Sequence, residues 1–226
     1  MEILKHERVD DLQLDGLKLI QDPTGFCYGT DAVLLSDFVS PATRGTIVDF
    51  CSGSGVIPLL LSSKTKAQQI VGIELQPVYA SMAQRSVLLN RLEQKITILC
   101  GDIKQIQSIF PGTCDTVTCN PPYMPLGGGE YNAHDSKAIA RHELCCTLED
   151  VVQNAARILK YGGSLYMVHR GERLCDIIHC MEKYAIAPKV LQFVHSGHQQ
   201  TCKLLLIKGV RGANPGVRIL PPLFKG

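Results

Sequence analysis

The sequence predicts an α/β fold built on a mostly parallel sheet of seven strands, with one antiparallel strand and helices on both faces. From residue 45 onward, short apolar runs typical of buried strands alternate with longer runs that have helical spacing. The last two strand-like runs follow each other without a helix between them. Alternating strands and helices form right-handed crossovers and a parallel sheet, and the last pair adds the antiparallel strand near an edge.

The first 44 residues are predicted to form a β-hairpin followed by a helix. Apolar residues alternate with polar ones between residues 9 and 23, and Asp15-Gly16 lies between Leu14 and Leu17. An Asp-Gly pair flanked by alternating apolar residues is a strong hairpin signal. The helix is expected to begin with Thr30 as N-cap residue and to stop before Pro41.

The remaining elements follow in a regular order that gives the core a Rossmann-like arrangement. Strands are predicted at 46–50, 69–74, 96–99, 115–119, 164–168, 189–194 and 203–210, and helices at 56–63, 77–92, 103–110, 148–159 and 173–184. We expect an extension at 1–44, a core domain at 45–211, and a tail at 212–226 that forms an extended strap or a disordered end.

Composition excludes several classes of protein. The apolar content of 45% and charged content of 19% are typical of globular domains. The chain has no apolar run of the ~20 residues needed to span a bilayer, and its N-terminus lacks a signal-peptide pattern, so we predict a cytoplasmic protein. The ten cysteines fall largely in apolar runs without a Cys-x-x-Cys pair, and no metal site is predicted.

The net charge of +2 hides an uneven distribution along the chain. Residues 1–156 carry 12 Lys/Arg and 18 Asp/Glu, whereas residues 157–226 carry 11 Lys/Arg and 3 Asp/Glu. An excess of positive charge in the last third favours a polyanionic partner such as a nucleic acid. The candidates for phosphate contacts are Lys203, Lys208, Arg211 and Arg218.

Polar or glycine residues end the first three core strands. Asp49 and the glycine-rich loop 51–55 follow the first strand, Glu74 follows the second, and Asp102 follows the third. Ligands of open α/β sheets bind at the carboxyl ends of the strands, where glycines admit close approach and a carboxylate accepts ribose hydroxyls. The loop has neither the third glycine of a dinucleotide-binding fingerprint nor the Lys-Ser/Thr of a phosphate loop.

The fourth strand ends in the sequence Asn120-Pro121-Pro122-Tyr123, which precedes a glycine-rich segment at 124–146. Two prolines make this backbone rigid and remove two amide donors. An amide oxygen, free carbonyl groups and an aromatic ring are suited to holding a flat polar group. Taken by itself, the motif can be explained as a proline turn at the end of a strand. Because it follows three other strand ends that carry ligand-binding residue types, we favour a functional role.

These residues together resemble the class I methyltransferases that use S-adenosylmethionine. Asn-Pro-Pro-Tyr resembles the motif of enzymes that methylate exocyclic or amide nitrogens. Within that group, Tyr28–Leu35 and Val217–Leu223 resemble segments of the bacterial tRNA adenine-N6 methyltransferase family. The resemblance implies tRNA as the nucleic-acid substrate, no metal, and S-adenosyl-L-methionine as cofactor.

The resemblance also assigns roles to positions of this chain. It implies cofactor contacts for Thr30, Asp31, Asp49, Cys51, Gly53, Gly55, Glu74, Leu75, Asp102, Ile103 and Asn120. It implies catalytic roles for Asn120, Pro121 and Tyr123. Tyr123 and Arg141 would contact the substrate, together with the basic Lys203 and Arg211.

Several alternatives remain open at this point. Thr30 serves equally well as a helix cap, and Arg141 as a solvated helix start. The same Asn-Pro-Pro-Tyr chemistry methylates the glutamine amide of a protein or a base of ribosomal RNA. A nucleotide-binding module without activity is disfavoured, because a simple binder would not need Asn120 and Tyr123.

Overall fold

The computed structural model describes residues 2–122 and 146–224. A small antiparallel hairpin precedes one large sheet. The strands are β1 (Arg8–Asp11), β2 (Lys18–Gln21), β3 (Arg44–Phe50), β4 (Lys66–Glu74), β5 (Ile96–Cys100), β6 (Cys114–Cys119), β7 (Leu159–Arg170), β8 (Ile186–His195), β9 (Cys202–Arg211), β10 (Arg218–Ile219) and β11 (Leu223–Phe224). The helices are α1 (Thr30–Phe38), α2 (Val56–Lys64), α3 (Pro77–Leu89), α4 (Leu148–Ile158) and α5 (Leu174–Lys183).

The large sheet has the Rossmann-like, mostly parallel arrangement that the sequence predicts. Its seven long strands lie in the order β5-β4-β3-β6-β7-β9-β8. All neighbouring pairs from β5 to β7 are parallel, and β9 pairs antiparallel with both β7 and β8. The tail is an extended strap, because β10 and β11 add two short parallel pairings to β8.

Helices cover both faces of this sheet and create two apolar cores. Helices α1, α2 and α3 bury one core, in which Ile47 and Leu206 are fully enclosed. Helices α4 and α5 bury the other, around Val117 and Ile207. Within the described residues, no helix is long and apolar enough to cross a membrane.

Hydrogen bonds attach the N-terminal hairpin to α3. The backbone amide of Lys18 donates to Asn90 Oδ1 at 2.8 Å, and that of Ile20 donates to Ser86 Oγ at 2.9 Å. Arg85 also forms a bidentate ion pair with Glu7. These contacts hold the hairpin against α3, and residues 22–29 connect the hairpin to α1.

Several boundaries differ from the sequence prediction, and three of the differences change how an element is described. Gly29, not Thr30, is the N-cap residue of α1, because its extended backbone precedes the first helical residue. The segment Ile103–Ser108 is a 3-10 helix and not an α-helix. Strand β7 begins at Leu159, directly after α4, whereas the apolar pattern indicated a start at residue 164.

Candidate functional site

One cavity lies at the edge of the sheet where the parallel strands end. Its lining comes from the residues after β3, β4, β5 and β6, and from the segment between β2 and α1. The lining residues include Phe26, Tyr28, Cys51, Gly53, Glu74, Leu75, Tyr79, Asp102, Ile103, Asn120, Pro121, Pro122, Cys146 and Arg170. The cavity therefore lies at the strand ends, where the sequence predicts a ligand site.

The loop after β3 turns sharply to begin α2. Cys51, Gly53 and Gly55 all have positive φ angles, of 56°, 54° and 87°. A Cβ atom on Gly55 would lie 2.9 Å from Ala83 Cβ, so glycine is required for the close approach of the loop to α3. Gly53, by contrast, has open space where a Cβ would be, because it lines the cavity.

Glu74 at the end of β4 holds this loop in place. Its Oε2 accepts from the Gly53 amide at 2.8 Å and its Oε1 from the Gln76 amide at 2.8 Å. Burial raises the pKa of the Glu74 carboxyl, and the backbone donors partly oppose that rise. A carboxylate on the cavity wall is thus oriented from two sides before any ligand binds.

Asp49 lies beneath the loop and does not line the cavity. Its carboxyl is fully buried and accepts from Ser52 Oγ at 2.6 Å and from Thr118 Oγ1 at 2.6 Å. Burial raises the pKa of Asp49 to about 7, against the lowering effect of the two hydroxyl donors. Asp49 therefore supports the glycine-rich loop from beneath.

Asp102 follows β5 and caps the 3-10 segment. Its Oδ1 accepts from the Lys104 amide at 2.9 Å, and its Oδ2 lies 3.5 Å from Lys104 Nζ. Ile103 is buried and contributes apolar surface next to it. The pair offers a polar and an apolar contact to a planar ring.

The side-chain oxygen of Asn120 indicates what kind of group the site can bind. Asn120 Oδ1 is buried and, among the described residues, has no hydrogen-bond partner. Pro121 and Pro122 follow it along the cavity wall. A buried amide oxygen without a partner costs free energy unless a ligand supplies a donor, so this position fits a group with N–H bonds.

Aromatic residues from the N-terminal extension close one side of the cavity. The Phe26 amide donates to Tyr79 Oη at 2.7 Å, and the Tyr28 amide donates to Gln21 Oε1 at 2.9 Å. Both bonds hold the segment between β2 and α1 against the cavity.

The other predicted site residues that the structure describes lie outside the lining of the cavity. Gly55 supports the loop from outside the lining, and Thr30 and Asp31 lie in the first turn of α1, beside the lining residues Tyr28 and Ala32. Lys203 lies at the start of β9 and Arg211 at its other end, so the two cations are far apart. Tyr123 and Arg141 lie outside the described residues.

Sequence reasoning missed several lining residues. Phe26 and Tyr79 gave no signal, because their position depends on the docking of the hairpin on α3. Arg170 ends β7, so the strand-end rule would have found it if the fifth strand had been extended. The described residues contain no group of three or more His, Cys, Asp or Glu side chains placed to hold a metal ion.

Comparison with solved structures places this architecture among methyltransferases. A predicted O-methyltransferase from Agrobacterium tumefaciens aligns with a TM-score of 0.69 and 20% identity over 86% of both chains. TYW2 from M. jannaschii, solved in complex with AdoMet, aligns with a TM-score of 0.63 and 13% identity over 93% of this chain and 89% of that one. At these identities the similarity establishes the fold.

The family assignment comes from sequence. The model of the "Methyltransferase small domain" family matches residues 18–185, and the chain belongs to that family. A tRNA1(Val) (adenine(37)-N6)-methyltransferase from Porphyromonas gingivalis is 28% identical over 81% of this chain and 75% of its own. A 4-amino-L-phenylalanine/4-methylamino-L-phenylalanine methyltransferase from Streptomyces pristinaespiralis is 31% identical over 59% of this chain and 48% of its own.

The fold, the glycine-rich loop and the carboxylates at the strand ends define a class I methyltransferase. The family and the fit of this cavity identify the chain as dependent on S-adenosyl-L-methionine. The fit is chemical: oriented carboxylates suit the hydroxyls and amino groups of a nucleoside, and Gly53 leaves open space beside them in the cavity lining.

Proposed function

We propose that the protein transfers a methyl group to the exocyclic N6 nitrogen of an adenine in tRNA. The observation that carries this proposal is the buried Oδ1 of Asn120, a residue that lines the cavity. This oxygen has no hydrogen-bond partner among the described residues. An exocyclic amino group has two N–H bonds. Asn120 Oδ1 and the Pro121 carbonyl would accept one bond each.

The chemistry requires such a clamp because the amino nitrogen of adenine is a poor nucleophile. Its lone pair is delocalised into the ring. Two acceptors that bond its hydrogens would favour a tetrahedral nitrogen and direct the lone pair toward the methyl group. Transfer is then governed chiefly by positioning. The adenine must leave its stack to enter, and Tyr123 would stack on it there.

The remaining residues of the cavity would hold S-adenosyl-L-methionine, which supplies an activated methyl group on a sulfonium. We assign the ribose hydroxyls to Glu74, and the adenine ring to Asp102 and Ile103. Cys51, Gly53 and Leu75 also line the cavity, while Asp49 and Gly55 would act by shaping the loop. Thr30 and Asp31 would lie over the amino-acid end of the cofactor.

Two further observations support RNA as the substrate. Relatives named tRNA1(Val) (adenine(37)-N6)-methyltransferase include the Porphyromonas gingivalis protein and a Yersinia pseudotuberculosis protein that is 36% identical over 62% of this chain. The positive charge of residues 157–226 suits a polyanion. Arg141 and Lys203 are our candidates for contacts with the nucleotides beside the target.

A second candidate is the aromatic amine of a free amino acid, because of the Streptomyces relative that is named for 4-amino-L-phenylalanine. An aniline nitrogen and adenine N6 are both primary amino groups whose lone pair is delocalised into an aromatic ring. The two acceptors, Asn120 Oδ1 and the Pro121 carbonyl, would serve either substrate, so an activity assay must distinguish between them. A glutamine amide of a protein or a base of ribosomal RNA is separated in the same way.

The test uses cofactor with a tritiated methyl group. The protein is incubated with tRNA from a strain that lacks N6-methyladenosine in tRNA, with ribosomal RNA, with protein extract, or with 4-amino-L-phenylalanine. The RNA is then digested to nucleosides. Label in N6-methyladenosine from tRNA supports the proposal, and already modified tRNA is the control. Label that enters only ribosomal RNA, protein or the amino acid overturns it.

A further inference from the structure

A second cleft lies at the edge of the sheet opposite the cofactor cavity, and its lining includes three cationic side chains and a tyrosine. Arg44 begins β3, Lys160 and Tyr161 lie near the start of β7, and Lys208 lies near the end of the antiparallel β9. All of them therefore belong to the edge where the parallel strands begin. Arg44, Lys160 and Lys208 line the cleft with the carboxylate of Asp115, which pairs with Lys160 at 2.9 Å.

A bulge in β7 displays Tyr161 at this edge. Cys114 of β6 pairs with Leu159 and Thr116 pairs with Ser164, so one residue of β6 faces four residues of β7. A Cβ atom on Gly163 would lie 2.9 Å from the Lys160 carbonyl oxygen, which makes glycine necessary in the bulge. The result is a tyrosine that is 82% exposed on the end of a rigid sheet.

Two groups contact the Tyr161 ring, which is still 82% exposed. The Arg211 guanidinium lies 4.9 Å from the ring centroid and also donates to the Leu159 carbonyl. The backbone of Gly212 approaches so closely that a Cβ there would lie 2.5 Å from Tyr161 Cδ1. A ring that is held in this way and still largely exposed offers an open face for stacking.

The described lining of the cofactor cavity has no excess of positive charge. The charged groups among its described lining residues are Glu74, Asp102 and Arg170, which sum to −1. The opposite cleft has three cations against Asp115, a sum of +2, and Arg211 lies next to it. Phosphates supply most of the affinity of nucleic-acid complexes, so the cleft is the better place for a backbone to bind.

We infer that this far-edge surface, formed by Arg44, Lys160, Tyr161, Lys208 and Arg211, is a second contact site for the RNA substrate. A base stacks on the open face of Tyr161, and the cations neutralise the flanking phosphates. The inference rests on the proposed function, because it names where an RNA substrate is held. Arg170 and Ser164 are separated by six residues of β7, so the two sites are roughly 20 Å apart.

That separation sets the kind of RNA that the surface recognises. A short single-stranded fragment around the target adenine would occupy the cavity alone. A folded RNA with a stem next to the target is long enough to reach both sites. The far-edge surface would therefore favour folded tRNA over short fragments that contain the same adenine.

The test measures binding of wild type and variants to unmodified tRNA over a range of KCl concentrations. Tyr161→Ala is expected to raise the Kd for tRNA by about 5- to 100-fold, while Tyr161→Phe keeps the ring and the affinity. Lys208→Gln and Arg44→Gln each lower the slope of log Kd against log salt by about one. In methylation assays the same variants raise KM for tRNA and leave kcat unchanged.

Lys5→Gln is the matched control, because it removes one exposed positive charge from the segment before β1. Affinity for S-adenosylhomocysteine must stay at the wild-type value in every variant, which checks folding. Unchanged tRNA affinity in Tyr161→Ala and Lys208→Gln overturns the inference, and so does an equal loss in Lys5→Gln. If wild type neither binds nor methylates RNA, the proposed function fails first, and a protein partner becomes the occupant to test.

Discussion

Thr118 Oγ1 donates a hydrogen bond of 2.6 Å to Asp49 Oδ1, and this bond joins the ends of β3 and β6 beneath the cavity. The other oxygen of Asp49 accepts from Ser52, which belongs to the glycine-rich loop. Asn120 follows Thr118 by two residues. One buried carboxyl therefore ties the loop that shapes the cofactor cavity to the strand that carries the proposed substrate clamp.

The raised pKa of Asp49 predicts a specific dependence of stability on pH. The pKa is about 7 in the folded protein, against 3.8 for an aspartate side chain in water, so the folded state retains a proton that the unfolded state has lost. The stability contributed by Asp49 is complete below 3.8 and is lost as the pH rises toward 7. The contribution of Asp49 to the free energy of unfolding should fall by about 1.4 kcal/mol per pH unit inside that window.

Urea unfolding of wild type and Asp49→Asn over this pH range checks the prediction. The variant cannot titrate at this position, so the difference between the two unfolding free energies should change with pH. Parallel pH profiles for the two proteins would show that the Asp49 carboxyl is ionised in the folded state.

Alanine substitutions at Gly53 and Gly55 should affect cofactor binding and protein stability to different degrees. Both have positive φ, so alanine costs roughly 1–2 kcal/mol at either position. Only at Gly55 does the new Cβ meet Ala83, at 2.9 Å, and only Gly53 lines the cavity. Gly55→Ala should therefore lower the midpoint of unfolding more, whereas Gly53→Ala should weaken cofactor binding more.

Thermal unfolding and titration calorimetry with S-adenosylhomocysteine measure the two effects for each variant. The prediction is a crossed pattern, in which the less stable variant is the better binder. An equal loss of both properties in both variants would contradict the distinct roles of the two glycines.

The sequence predicted the cavity-lining residues that lie at strand ends, and it missed those that are placed by contacts between distant parts of the chain. Glu74, Asp102 and Asn120 were found because the ends of parallel strands meet at one edge. Phe26 was missed because its place depends on hydrogen bonds between the hairpin and α3, which no local pattern encodes. The count of charges identified Lys203 and Arg211 together, but the direction of β9 puts them at opposite ends.

Tyr79 is predicted to hold the N-terminal wall of the cavity. Its Oη accepts from the Phe26 amide at 2.7 Å, and Tyr79→Phe removes that acceptor without changing the ring. The segment between β2 and α1 should then open more often, so the Phe26 amide should exchange faster and the Kd for the cofactor should rise several-fold.

Hydrogen exchange and calorimetry check this, with Tyr184→Phe as the matched control. Tyr184 also loses a hydrogen bond, to Glu149, but lies outside the lining of the cavity. Equal exchange at Phe26 in Tyr79→Phe and wild type would mean that other contacts hold the segment.

Asn120 is predicted to act on the methyl-transfer step and not on cofactor binding. Its Oδ1 is buried without a partner among the described residues, and Asn120→Ala removes that acceptor from the proposed clamp. We expect kcat to fall by about 10²–10³, as for loss of one oriented catalytic hydrogen bond, with cofactor Kd within a few-fold of wild type. Asn120→Asp keeps an acceptor oxygen and should retain more activity than Asn120→Ala. Single-turnover methylation and calorimetry measure both quantities, and a collapse of cofactor affinity in Asn120→Ala would make Asn120 a structural residue.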